Sequence, residues 1–313
     1  MKAIQFLTLT ALGAALFASC SNEEELTRGS YPNDNIIRVT AGVNNMTRGN
    51  EATTALNKDF SLNVVNSTND NYSYANEIFS LKGGTEWSST NKLLWENLAT
   101  PVEIVALYPA TDANTFADVF SKESNTYGTI SYGVKPDQSI RDDANDLLLY
   151  HNTSFVPKND LKAGKLDIQF NHAFCRVDIE VTIGSEFNAT NGLAANPIQG
   201  IKVEGTKTTA KIGFASTAPF FTVTPSASGE VTSIIPTLDD FTPAASATEQ
   251  AVAKYSCIVI PQTATLKVVL HTSDMEYEWT GTQKELESGK QYTLQLNLKK
   301  SATTRNFILR ERK

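Results

Sequence analysis

The stretch Ile36 to Arg48, IIRVTAGVNNMTR, decides how the chain is read. Ile37, Val39, Ala41 and Val43 share one face at the two-residue spacing of a half-buried β-strand, and Ile36, Arg38, Thr40 and Gly42 share the other. Asn44 and Asn45 are turn formers that end it. Beyond them, as far as Lys58, the chain is mostly small and polar, with Arg48-Gly49 in its midst. Loops of that composition are where proteolytic nicking concentrates, so a trypsin-like protease is expected to reach the Arg48–Gly49 bond. A strand that can be cut away behind such a bond would leave a groove in whatever sheet it belongs to.

Upstream, residues 1–19 combine Lys2, an apolar run and small residues just before Cys20, the pattern of a secretory signal peptide. The run is too short for a stable membrane span and is left out of the fold. Phe17-Ala18-Ser19-Cys20 resembles a bacterial lipobox, with Phe in place of the usual Leu, which makes Cys20 the candidate lipidated residue. The alternative is ordinary cleavage nearby that leaves Cys20 a free thiol. Residues 20–35 form an acidic linker. Its SNEEE start resembles the surface-export tag of lipoproteins from Gram-negative gut and oral bacteria, the plain reading being a solvated linker.

Fewer than 300 of the 313 residues remain after processing, enough for one large all-β domain or two of ordinary size. With 41% hydrophobic and 19% charged residues the chain can bury a core. Its net charge of −7 and the lack of a basic stripe exclude nucleic acid as a partner. The basic tail, residues 301–313, is the exception. Cys175 and Cys257 both lie in apolar alternating runs, where one disulfide or two buried thiols would fit.

Downstream the chain is a succession of short alternating runs with turn residues between them and no sustained helical period, the signature of an all-β protein. Pro101–Tyr108 carries one charge among its strand residues and is expected to be buried on nearly both faces. Residues 110–146 read as a long polar loop. Asp142, Asp143 and Asp146 near its end lack the spacing of a known Ca²⁺ loop and read as a solvated turn. Asn159–Lys165 is the candidate boundary, giving an N-terminal sandwich over 36–165 and a C-terminal one over 166–300. Leu166, Ile168 and Phe170 are even-numbered, whereas Ala173 to Ile183 keep their apolar residues at odd positions, so the chain must break near Asn171-His172. Tyr292, Leu294, Leu296 and Leu298 make the clearest strand.

No catalytic or metal-binding constellation stands out, and no cofactor is called for. Three histidines occur without H-E-x-x-H, and neither G-x-S-x-G nor a glycine-rich phosphate loop is present. A competing binding function is a surface lipoprotein that stacks glycan rings on Trp87, Trp95 and Trp279, although all three sit in alternating runs where core aromatics are common.

Taken together, the lipobox, the I-R-V-T-A-G-V strand followed by M-T-R, F-N-H-A-F-C-R-V-D-I-E-V (Phe170–Val181), V-I-P-Q-T (Val259–Thr263) and the closing S-G-K-Q-Y-T-L-Q-L resemble the fimbrillin family in order and spacing. The resemblance implies two tandem β-sandwich domains of transthyretin-like or Ig-like topology, and export as an outer-membrane lipoprotein. It implies removal of the segment containing Ile37, Val39, Ala41 and Val43 by an arginine-specific protease, and polymerisation with other pilin subunits into a surface pilus by strand exchange. The position matching the cut is Arg48, leaving Gly49 as the new N-terminus. Arg28 precedes the strand and Arg38 lies within it, so cutting at either would not remove it. Phe307, Ile308 and Leu309 form a short candidate donor tail, which implies a tip or accessory subunit that accepts a strand and adheres to a host or bacterial surface ligand.

Overall fold

The computed structural model describes residues 34–44, 56–83, 86–110, 120–121, 126–215, 217, 220–229, 231–300 and 307–311. The architecture is nearly all β. The first ten strands are β1 (Val39–Val43), β2 (Phe60–Val65), β3 (Tyr74–Gly83), β4 (Glu86–Ser89), β5 (Val102–Tyr108), β6 (Phe120–Ser121), β7 (Thr126–Tyr127), β8 (Thr129–Gly133), β9 (Leu148–Phe155) and β10 (Leu166–His172). A one-turn helix, α1 (Pro157–Asp160), joins β9 to β10. The second set is β11 (Cys175–Ile183), β12 (Ile198–Glu204), β13 (Thr209–Phe214), β14 (Phe221–Pro225), β15 (Thr237–Thr242), β16 (Ala251–Val259), β17 (Gln262–Thr272), β18 (Glu276–Leu286), β19 (Gln291–Leu298) and β20 (Phe307–Glu311).

Seven strands form a hydrogen-bonded ring in the order β1-β10-β9-β5-β2-β3-β4, closed where β1 meets β4. Inside it Phe60, Leu62, Phe79, Trp87, Ile104, Leu166, Ile168 and Phe170 are buried. Phe60 lies at the centre, with ring centroids 5.4 Å from Phe79, 4.9 Å from Trp87 and 5.6 Å from Phe170. The second unit layers a five-stranded sheet, β15-β16-β11-β19-β20, against the three-stranded β12-β17-β18 and β14-β13-β8. β11 is its central strand, antiparallel to β16 and parallel to β19, and its odd-numbered side chains from Cys175 to Ile183 are fully buried.

The two cores share a wall. On β5, Ile104, Ala106 and Tyr108 point into the ring, while Val105 and Leu107, with Leu147 and Leu149, belong to the second core. That is the physical basis of the near-uniform apolarity of Val102–Tyr108. At the same wall His151 of β9 pairs with Glu103 of β5, and its Nδ1 lies 3.0 Å from the carbonyl of Phe220.

The break in apolar phase falls at Ala173-Phe174, two residues past the expected Asn171-His172. β10 hydrogen-bonds into the first ring, so the change of sheet comes there rather than at Lys165. The Asn159–Lys165 stretch is instead the turn into β10, with Ala163 and Gly164 at positive φ. His172 is buried at the bend, and its Nδ1 lies 2.9 Å from Asp146. Besides the two-residue β6 and β7, residues 110–146 hold a longer strand, β8, that alternation does not reveal. β8 buries only Ile130 and Tyr132, too few to register as a pattern, and pairs with β13 far along the chain.

Two glutamines use side-chain amides in place of a missing strand. The Gln138 Nε2 donates to the Ile258 carbonyl at 2.9 Å, and the Ile258 N–H donates back to its Oε1 at 2.8 Å, just past the point where β15 stops pairing with β16. Gln262 holds the N–H and carbonyl of Lys207 in the same way, each at 3.1 Å. Gln138 is buried, so Gln138→Ala leaves a backbone donor and acceptor of β16 unmet. It should cost about 1–3 kcal/mol, read as a lower urea midpoint at unchanged slope.

Candidate functional site

The site is the seam where β1 closes the ring. Sequence alternation makes β1 a strand, and its position makes it a keystone, because it bridges two strands that have no other partner on that side. On one side it runs parallel to β10 at five successive positions, from Val39 opposite Leu166 to Val43 opposite Phe170. The ladder is extended at both ends, with the Leu166 N–H donating to the Arg38 carbonyl at 2.8 Å and the Asn44 N–H to the Phe170 carbonyl at 2.7 Å. Thr40 donates to Asp167, and Asn44 to Asn171, across the same edge. Ile37 and Val39 are buried in the ring core, and Ala41 and Val43 pack against it at partial burial.

The other side is far looser. β1 pairs with β4 only at Val39–Trp87 and Thr40–Glu86. Contact resumes at the Ile36–Leu94 bridge, where the Ile37 N–H reaches the Leu93 carbonyl and the Trp95 N–H reaches the Asn35 carbonyl. Residues 88–93 therefore face only 37–38 and bow outward, leaving a notch of about 410 Å³ floored by Ile37, Val39, Phe79, Trp87 and Leu93. Alternation could not reveal this, because the second partner resumes beyond β4. At the start of the strand Arg38 clamps Asp34 through two bonds of 2.6 and 3.0 Å, and that guanidinium holds the exposed Asp34 carboxyl down at about 2.

The notch has a basic rim. Lys165 is tied to Glu86 at 2.9 Å, while Lys82 and Lys92 are exposed and have no ionic partner among the described residues. Cys20, Arg48 and Gly49 lie outside the described residues. At the other end of the chain, Phe307, Ile308 and Leu309 lie in β20, which pairs antiparallel with this chain's own β19, Leu296 opposite Phe307 and Leu294 opposite Leu309.

The remaining candidates are structural. Trp87, Trp95 and Trp279 are 5%, 3% and 3% exposed, so none of the three offers a stacking platform for sugar rings. Cys175 and Cys257 are buried on adjacent strands without a disulfide between them and out of register, opposite Val259 and Val177 respectively; the Cys175 thiol donates to the Val259 carbonyl, and burial pushes the Cys257 thiol well up. No group of three His, Cys, Asp or Glu among the described residues is placed to hold a metal ion. Asp142 instead grips Lys58 and Lys135, each at 2.6 Å, which pins the 135–146 segment to the approach to β2.

The Lys135 and Lys58 ammonium groups hold the Asp142 carboxyl well below the usual carboxylate range. A depressed folded-state pKa contributes stability that is present above the unfolded value, about 3.9, and is lost as pH falls below it. Both lysines are substantially exposed, so the pairs contribute about 1 kcal/mol after screening. Asp142→Asn should lower the urea midpoint at pH 6, and the gap to wild type should narrow steadily as pH falls below about 4.

The described residues build two β cores, one of them a ring that β1 closes. The fimbrillin-like family matches residues 40–308, and the chain belongs to that family. Membership makes it a pilus or adhesin subunit that assembles with other pilin subunits at the cell surface. Its fold is similar to that of a candidate cell adhesion protein from Bacteroides uniformis, with a TM-score of 0.58 and 15% identity over 90% of this chain and 98% of that one. A fimbrial protein from Bacteroides vulgatus is similar with a TM-score of 0.50 and 17% identity over 88% and 99%. No curated protein matches the chain.

Proposed function

We propose that the chain is exported as an outer-membrane lipoprotein anchored at Cys20, is cut after Arg48, and accepts a strand from another subunit in place of β1, as a tip or accessory subunit of a pilus. The observation that carries the reading is the placement of β1. It alone closes the ring, it is followed directly by the segment containing Arg48, and on the β4 side it is held at only two ladder positions before the ladder gaps. Once β1 leaves, β10 and β4 expose unpaired edges above an apolar slot, and an incoming extended segment satisfies both at once. The pairing of β20 with the chain's own β19 fits an acceptor better than a donor.

The acceptor role is tested by adding an extended apolar peptide to chain nicked after Arg48. Release of the leading segment and tight retention of the peptide support it; a segment that stays put against every peptide overturns it. For the anchor, a palmitate analogue should label the full-length chain, and Cys20→Ala should remove essentially all of the label. Equal labelling of the two would refute lipidation at that residue.

A further inference from the structure

From the charge and shape of the notch we infer that the strand replacing β1 comes from a different subunit, one whose donor segment carries a bulky apolar side chain and is flanked by carboxylates. The inference rests on the strand-replacement reading and adds the identity class of the partner. Two independent observations lead to it.

The first is shape. β1 is built from small residues, Val39, Thr40, Ala41, Gly42 and Val43, and leaves the notch beside Ile37–Val39 open to the core floor. A replacement with a larger apolar side chain at those positions would fill part of the notch and add packing contacts that β1 does not make, which favours exchange over merely restoring the original ladder.

The second is charge. When the leading segment departs, Asp34 and Arg38 leave together, and the rim that remains holds Lys82 and Lys92 beside the ion pairs Lys165–Glu86 and Lys162–Asp167, with Glu77 bonded to Ser89 and Asn91 as the remaining carboxylate. Lys82 and Lys92, which have no ionic partner among the described residues, favour an acidic newcomer and oppose a basic one. The chain's own tail is basic, with Arg305, Arg310, Arg312 and Lys313 against Glu311. A second copy is therefore a poor donor here, and the complementary occupant is an acidic segment of another chain.

The test uses the full chain nicked after Arg48 and three extended probes: a leucine-alternating peptide flanked by glutamates, its lysine-flanked counterpart, and the peptide Arg305–Lys313. Affinity is read by anisotropy as the leading segment is displaced. The glutamate-flanked probe should bind about tenfold tighter than the lysine-flanked one at low salt. The ratio should collapse near 1 M salt, where screening acts within about 3 Å, and Lys82→Glu with Lys92→Glu should invert it. Equal affinities, or tightest binding by Arg305–Lys313, would overturn the inference while leaving strand replacement intact. Failure of all three probes to displace the segment would overturn strand replacement, and the inference with it.

Discussion

Arg48→Ala is expected to yield a folded chain that keeps its long form and stays out of fibres. The mutation touches none of the ring's strands, so secondary structure and thermal unfolding should match wild type before processing. The effect of the cut itself is large. Stripping the leading segment removes Ile37 and Val39 from the core and Ala41 and Val43 from its margin, and it unzips the ladder to β10. At the usual worth of buried Val and Ile side chains, that is roughly 5 kcal/mol, or a fall of about 10–20 °C in Tm for a domain of this size. An added donor peptide should restore the loss by mass action, growing with the logarithm of its concentration over Kd. Mass spectrometry of surface-shed protein supplies the direct check. A mature N-terminus at Gly49 in wild type, absent in Arg48→Ala, fits; shed protein still beginning at Cys20 in wild type contradicts the cleaved role.

Phe60→Ala should be the most damaging single substitution in the ring. Phe60 is fully buried and touches Phe79, Trp87 and Phe170, aromatic rings contributed by β3, β4 and β10. Removing it opens a cavity with three rigid walls that cannot collapse inward, at a cost of about 3–5 kcal/mol. Trp87 is also the residue opposite Val39, so the seam should loosen together with the core. The expected signature is a large drop in denaturation midpoint together with faster proteolysis between residues 45 and 55. A loss under about 1 kcal/mol would show that the ring repacks freely and that the keystone picture is wrong.

Much of the architecture was legible as alternation. Gln291–Leu298 emerged as β19 with no change of boundary, and the Ile37–Val43 spacing correctly predicted a strand. The even-to-odd change between Phe170 and Ala173 correctly required a break, because a strand cannot turn its buried face without one. What alternation could not supply was partnership. β8 was hidden because two inward residues make no period, and Gln138 and Gln262 gave no sign in the sequence that their amides would stand in for strands.

The chain by itself determined that the protein is all β and that a strand with apolar residues at every second position lies ahead of an arginine-bearing segment. Those properties follow from local backbone geometry and side-chain chemistry, which each short segment carries with it. The tertiary structure alone decided that β1 lies parallel to β10 and closes a ring, that β5 serves two cores at once, and that Lys82, Lys92 and Lys165 meet around a notch. These are contacts between residues far apart in sequence. The same alternating pattern is compatible with many neighbours, and only the packing of the whole chain selects among them.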